Sequence, residues 1–297
     1  MEIKVVMLGT SGSTPTRDRS MPAVAAVYDG GVYLFDCGEG TQMQMLRYGV
    51  NAYKVRAIFI SHTHADHIIG IAGLVRTLAM ERRRDALDIF VPKGCEGAIK
   101  SLIGFDKAII GYEIIVHGIS GGIAYRGKGF SVKAFRIDHT IPCLGYVFRE
   151  DKKRRFIAGR AARLGISGPM HSELQRKGRI RVGRRIVSIG QVTREVAGKS
   201  VAYASDTRPS LATAAAAAGV DLLIHESSYS DSEAALAKER KHSTASEAAR
   251  VAAKAKAKRL VLTHISARYS SAAELEKEAR AVFKNSSLAE DGRVIIV

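Results

Sequence analysis

Between Ser61 and Gly70 the chain reads His62-Thr63-His64-Ala65-Asp66-His67, three imidazoles and a carboxylate within six residues. Imidazole nitrogen with carboxylate oxygen is a donor set for Zn²⁺ and similar divalent ions. The apolar run 57–60 predicts a short buried strand, with the cluster on the loop leaving it. On an extended or turning segment His62 and His64 can converge on one ion. Asp66 and His67, on the next turn, can reach a second. Four groups cannot complete two sites, and three more stand directly after apolar runs: His139, Asp206 and His264. Loops at strand ends are where a rigid sheet aims several ligands at one place. Two metals in such a site activate a water and neutralise charge on a phosphoryl or acyl oxygen, so the chemistry expected is hydrolysis.

The elements that must position these groups follow from apolar periodicity and turn residues. Strands are expected at 3–8, 24–28, 32–35, 87–91, 112–116, 130–137, 143–148, 200–204, 221–225, 259–263 and 293–297. Asp29-Gly30-Gly31 joins the second and third as a hairpin. Helices are expected near 41–48, 68–80, 96–103, 211–218 and 244–256, the last with alanines 245, 248, 249, 252 and 253 on one face. Arg82-Arg83-Arg84 reads as the solvated basic end of the second helix. Strands followed by helices, twice over, predict an α/β fold of two mixed sheets packed face to face with helices outside.

The chain has 297 residues, 46% hydrophobic and 25% charged, as expected of a globular protein with a sizeable core. Its formal net charge of +17 favours polyanionic partners. The first residues read as a strand, and no apolar run reaches the roughly 18–20 residues of a membrane span. Cys37, Cys95 and Cys143 are scattered and odd in number, which predicts free thiols and a reduced, cytoplasmic setting. Between Arg149 and Arg185, thirteen lysines and arginines face three acids, a net of +10. This stretch interrupts the strand–helix order, so it reads as an insertion extending from the core. A solvated loop is the ordinary reading of a charge run, but one this dense beside a hydrolytic core predicts contact with a polyanion. With Phe156 alone in its densest part, base stacking is a poor explanation.

The His62-x-His64-x-Asp66-His67 signature resembles the metal-binding motif of the metallo-β-lactamase superfamily. That resemblance implies a four-layer αβ/βα sandwich covering 1–297, with the basic stretch 149–185 as a protruding arm. It also implies that His62, His64 and His139 hold one metal, Asp66, His67 and His264 the other, and Asp206 bridges them. Further stretches resemble the ribonuclease Z family, endonucleases that trim the 3′ trailer of precursor tRNA. They include 35–42, Asp206-Thr207-Arg208-Pro209, His225-Glu226-Ser227-Ser228-Tyr229, His242-Ser243-Thr244 and 262–269. The resemblance implies two Zn²⁺, Mn²⁺ sharing the same ligands, and a homodimer in which one subunit's arm presents tRNA to the other's active site. Asp66 would help deprotonate the attacking water. His242, oriented by Glu226, would stabilise charge at the scissile phosphate or protonate the leaving 3′ oxygen. The tRNA would keep a 3′-hydroxyl and the trailer a 5′-phosphate. Lys152, Lys153, Arg154, Arg155, Gly168 and Pro169 of the arm, and Arg268, would bind substrate. Arg19 could bind phosphate or simply be surface charge, and His117, His171 and His225 receive no role. Two alternatives stand beside this reading: another two-metal hydrolase, and a nucleic-acid-binding protein with a degenerate site.

Overall fold

The computed structural model describes residues 2–104 and 110–297. Two seven-stranded sheets carry the fold. In the first the order is Val294–Ile296, Lys4–Gly9, Ala23–Tyr28, Gly31–Phe35, Val55–Phe59, Leu87–Pro92, Ile114–Ile119. In the second it is Ser286–Leu288, Leu260–Thr263, Leu222–Glu226, Ser200–Ala204, Cys143–Glu150, Phe130–Ile137, Gly122–Gly127. The inner faces share one core, in which Val5, Phe35 and Phe59 of the first sheet meet Phe130, Tyr146 and Tyr203 of the second. The helices Thr41–Arg47, Gly70–Met80 and Glu96–Gly104 cover the outer face of the first sheet. Leu211–Ala216, Ala245–Ala255 and Ala273–Val282 cover that of the second. This is the four-layer αβ/βα sandwich that the strand–helix order and the histidine motif predict.

The expected elements are found within a few residues of their places. Besides the three-residue strand Ser286–Leu288, the sequence missed the strand Gly122–Gly127 and the helix Ala273–Val282. The strand is an exposed edge rich in glycine, without the alternation that marks a half-buried strand. The helix shows the inner sheet only two fully buried side chains, Leu275 and Ala279. Arg83 corrects the sequence reading. It is buried, and its guanidinium donates to the carbonyls of Val55, Asp85 and Ala86 at 2.7–2.8 Å. It ties the end of its helix to the sheet rather than solvating it.

Residues 150–198 form a second compact unit. It runs on past Arg185 because the strand Lys153–Phe156 pairs with Thr193–Val196, which brings the later segment into the same body. The hairpin of Arg179–Val182 and Arg185–Ser188 and the helices Ala158–Arg163 and Pro169–Lys177 complete it around a small core of Ala161, Ile166, Leu174, Ile180, Val187 and Val192. All thirteen lysines and arginines between 150 and 198 are exposed. Among the described residues, no helix is long and apolar enough to cross a membrane.

Candidate metal centre

Every predicted ligand lies at or just beyond the end of a strand, on one edge of the sandwich. The strand Val55–Phe59 delivers Ser61 and His62, and Asp66 and His67 sit on a short helix, Ala65–Ile68, rather than on the expected loop. Phe130–Ile137 leads to His139, Ser200–Ala204 to Asp206 and Leu260–Thr263 to His264. Parallel neighbours ending together converge their loops, as open α/β sheets do at their carboxyl ends. The two sheets are pinned at this edge by Leu144 N–H donating to the Ser61 carbonyl (2.9 Å) and the Tyr146 hydroxyl to the Ile60 carbonyl (2.7 Å). Gly70 lets the chain pass closely behind the cluster. A Cβ there would stand 1.9 Å from the Gly38 carbonyl oxygen.

The ligand atoms fall into two groups that share Asp206. His62 Nε2 and His64 Nδ1 are 2.9 Å apart, and His139 Nε2 is 3.4 Å from His64 Nδ1. Asp206 Oδ2 lies 3.8 Å from His62 Nε2 and 4.0 Å from His139 Nε2. Its other oxygen, Oδ1, lies 3.5 Å from His67 Nε2 and 3.1 Å from His264 Nε2. Asp66 Oδ2 completes the second group, 3.3 Å from His67 Nε2 and 3.7 Å from His264 Nε2. Donors held tetrahedrally about 2.0–2.1 Å from one ion stand about 3.3 Å apart. The spacing therefore fits two adjacent ions with one carboxylate between them. The buried Nε2 atoms of His67 and His264 have no hydrogen-bond partner among the described residues. A buried orphan of this kind is costly unless something outside the chain meets it.

Charge points the same way. Burial pushes the His62 imidazole well below the usual histidine range, toward the neutral form a ligand must take. Burial also works to lower His67, but Asp206 and Asp36 outweigh it and hold the ring protonated well above that range. The carboxylates thus demand a cation, and a proton on His67 is a poor substitute for a dication. This cluster of histidines and aspartates is a site for a divalent metal.

Supporting groups fix the rings. Asp36, fully buried with a left-handed φ of 58°, accepts from His67 Nδ1 (2.8 Å), the Tyr203 hydroxyl (2.7 Å) and Ser61. Sequence reasoning gave Asp36 no role. The available signal was a polar residue between the apolar strand 31–35 and a glycine-rich corner. His264 Nδ1 meets the Ser228 hydroxyl at 2.9 Å, and that hydroxyl donates to Glu226 Oε2 at 2.8 Å. The other Glu226 oxygen meets His242 Nδ1 at 2.9 Å. Burial would lower His242, but the Glu226 carboxylate overrides it and raises the imidazole to about 9. Burial would raise Glu226, and the adjacent His242 cation holds it below its ordinary value instead.

A cavity of about 510 Å³ opens over the cluster, bordered by Asp66, His139, His242, Tyr229, Arg240 and Arg268. Arg268 reaches it stacked 4.9 Å over the Tyr229 ring and paired with Glu233. Arg19 does not border this cavity, and its Nη1 donates to Thr10 Oγ1 and to the Ala289 carbonyl, both at 2.7 Å. The three histidines without an assigned role are structural: His225 is buried on the Glu226 carbonyl, His117 pairs with Asp88, and His171 packs on Phe156. In the 150–198 unit, Lys152 pairs with Glu195 and Lys153 with Glu150. Arg154 and Arg155 lie exposed on its first strand, and Gly168-Pro169 opens its longer helix.

Two family models match this chain: the beta-lactamase superfamily domain over residues 169–265, and the anti-Pycsar protein Apyc1 over residues 3–156. The metallo-beta-lactamase fold protein YhfI from Bacillus subtilis superposes with a TM-score of 0.71 at 19% identity over 100% of both chains. The short form of human tRNase Z does so with a TM-score of 0.73 at 26% identity over 98% of both. A ribonuclease Z from Gemmatimonas aurantiaca is 41% identical, with 99% of this chain and 96% of that one covered. Identity of that extent over nearly the whole of both chains, on this fold and around this donor set, places the protein in the ribonuclease Z family.

Proposed function

We propose that the protein is a zinc-dependent endoribonuclease that removes the 3′ trailer from precursor tRNA. The observation that carries this reading is the 41% identity to a ribonuclease Z across 99% of the chain. His62, His64 and His139 would hold one Zn²⁺, Asp66, His67 and His264 a second, and Asp206 would bridge them, its two oxygens already divided between the groups. Mn²⁺ would accept the same donors. When bound, such ions lower the pKa of a water and neutralise charge on the phosphoryl oxygens. Asp66 borders both the ligand group and the cavity, where it orients the attacking water and accepts its proton. His242, kept protonated by Glu226, faces the same cavity and gives its proton to the leaving 3′ oxygen. The P–O3′ bond breaks, so the tRNA retains a 3′-hydroxyl and the trailer a 5′-phosphate.

The exposed cations of residues 150–198, Lys152, Lys153, Arg154 and Arg155 among them, act as an arm gripping tRNA phosphates, with Gly168-Pro169 shaping its helix start. Arg268 meets a phosphate at the cavity. Phe156 is engaged with His171, which supports backbone electrostatics over base stacking. Two copies of the chain act together as a homodimer in the reduced cytoplasm, where Cys37, Cys95 and Cys143 stay free. Incubation with a tRNA bearing a 3′ trailer tests the core of the reading. Cleavage after the unpaired base of the acceptor stem, abolished by chelator and restored by Zn²⁺, is expected. An intact trailer with metal-loaded protein would refute it.

A further inference from the structure

We infer that Arg208, through a forked pair with Glu247, is a positioning residue that holds His242 against Glu226. This inference rests on His242 working in the reaction proposed above. His242 lies on a loop with no regular structure of its own, between the helices Ala234–Glu239 and Ala245–Ala255. Its predecessor Lys241 has a left-handed φ of 61°, a conformation that a residue with a side chain adopts at a cost. Something must hold that loop in place.

His242 N–H donates to the Ala237 carbonyl, and Arg208 supplies the contacts on the side of Glu247. Its Nη1 donates to the main-chain carbonyl of His242 itself. Nη1 also donates to Glu247 Oε2 at 2.8 Å, and Nη2 donates to Glu247 Oε1. Glu247 Oε2 in turn accepts from Thr244 N–H at 3.0 Å, capping the helix that starts just after the His242 loop. On its other side, Arg208 N–H donates to the Asp138 carbonyl at 2.8 Å, next to His139. The Ser243 hydroxyl donates to the Thr207 carbonyl at 2.6 Å. Arg208 therefore joins the loops of His139 and Asp206 through its main chain and ties them to the His242 loop through its guanidinium, and only the second link is lost when the side chain changes. It is 17% exposed, Glu247 is 19% exposed, and Arg208 does not border the catalytic cavity. A phosphate-binding arginine would point into the cavity. This one spends its fork on a carboxylate and a carbonyl behind it. Lysine, a point charge without the fork, cannot make all three bonds.

The test is R208K and E247Q, alone and combined with H242A, in the metal-loaded full chain. Activity is read on trailer-bearing tRNA and on a small phosphodiester, bis-p-nitrophenyl phosphate. In R208K, kcat should fall at least tenfold on both substrates, with KM for tRNA and bound-metal content unchanged. Added to H242A, R208K should cost less than twofold, because its effect passes through His242. Nitrogen-15 histidine spectra supply a readout independent of turnover. The Nδ1–H signal of the His242–Glu226 bond, assigned by its loss in H242A, should broaden or vanish in R208K, while E247Q, which keeps one acceptor oxygen, falls between. A full tenfold loss on top of H242A, a raised KM with unchanged kcat, or an unaltered His242 signal would overturn the inference. If wild type cleaves the small diester and not the tRNA, the function proposed above fails, and the diester and the spectra still decide the role of Arg208.

Discussion

Replacing Asp36 by asparagine keeps its volume and removes one charge, and the consequence can be followed atom by atom. Asp36 Oδ1 accepts from Ser61 N–H at 2.7 Å. Oδ2 faces His67 Nδ1 at 2.8 Å and the Tyr203 and Ser61 hydroxyls at 2.7 and 2.9 Å. Ser61 N–H can only donate, so the amide oxygen of the substituted side chain must take the Oδ1 place, leaving its NH₂ toward the other three groups. Hydroxyls rotate to accept. Ser61 Oγ can still accept from His62 Nδ1, 2.9 Å away, so His62 keeps its tautomer. The His67 ring can accept only by moving its proton from Nδ1 to Nε2. Nε2 is the atom aimed at Asp66 and Asp206, at 3.3 and 3.5 Å, and once protonated it cannot ligate. Loss of such an outer partner typically lowers metal affinity 10–100-fold, about 1.4–2.7 kcal/mol. The first group has other supports, His139 Nδ1 resting on the Lys241 carbonyl and His62 on Ser61. Zinc titration of the metal-free protein against a chromophoric chelator, with circular dichroism to verify folding, should therefore show two sites in wild type. In D36N one should be unchanged and one weakened 10–100-fold. Two sites of unaltered affinity would refute the argument about His67.

Other outcomes follow from the same geometry. Arg149 and Ser200 are cross-strand partners, so residues 150–199 can be replaced by a two-residue Asn-Gly turn; the core should still hydrolyse a small phosphodiester, while KM for tRNA rises and its salt dependence flattens, measured by cleavage at several ionic strengths. G70A forces a Cβ to within 1.9 Å of a backbone oxygen, which should cost about 1–3 kcal/mol in denaturant unfolding of the metal-free protein, the range for overpacking. Glu226 holds His242 at about 9, above the ordinary value of 6.5; this stabilisation of the metal-free protein should be full below pH 6.5 and fade as pH rises through 9, so the stability gap between wild type and E226Q should narrow over that interval. D66A should bind tRNA normally in a gel-shift assay and cut it at least a hundredfold more slowly.

Much of the metal centre was legible because its chemistry is compressed into sequence. Six residues hold four donors, and His139, Asp206 and His264 each follow an apolar run, which marks a strand end. The longer strands with a buried face were legible, since burial imposes alternation or an unbroken apolar run. Where an edge strand is exposed, as at Gly122–Gly127, no pattern is imposed and none could be read. The basic stretch was visible as charge, but its internal pairing was not. The strand Thr193–Val196, which closes that unit, is four residues of mixed polarity whose partner lies about forty positions earlier. Short strands acquire their identity from the strand they pair with.

The sequence by itself thus determined the fold class, the histidines and aspartates that the fold gathers into one cluster, and the concentration of positive charge, because each is a property of residue type and local spacing. The tertiary structure alone decided how the donors divide between the two oxygens of Asp206, and that Asp36 sets the His67 ring. It also made Arg83 a buried tie to the sheet rather than a solvated helix end, and paired Arg208 with Glu247 and the His242 carbonyl. Those outcomes depend on which atoms the loops bring together in space, and a hydrogen bond between residues 31 or 34 positions apart leaves no periodic trace in the chain.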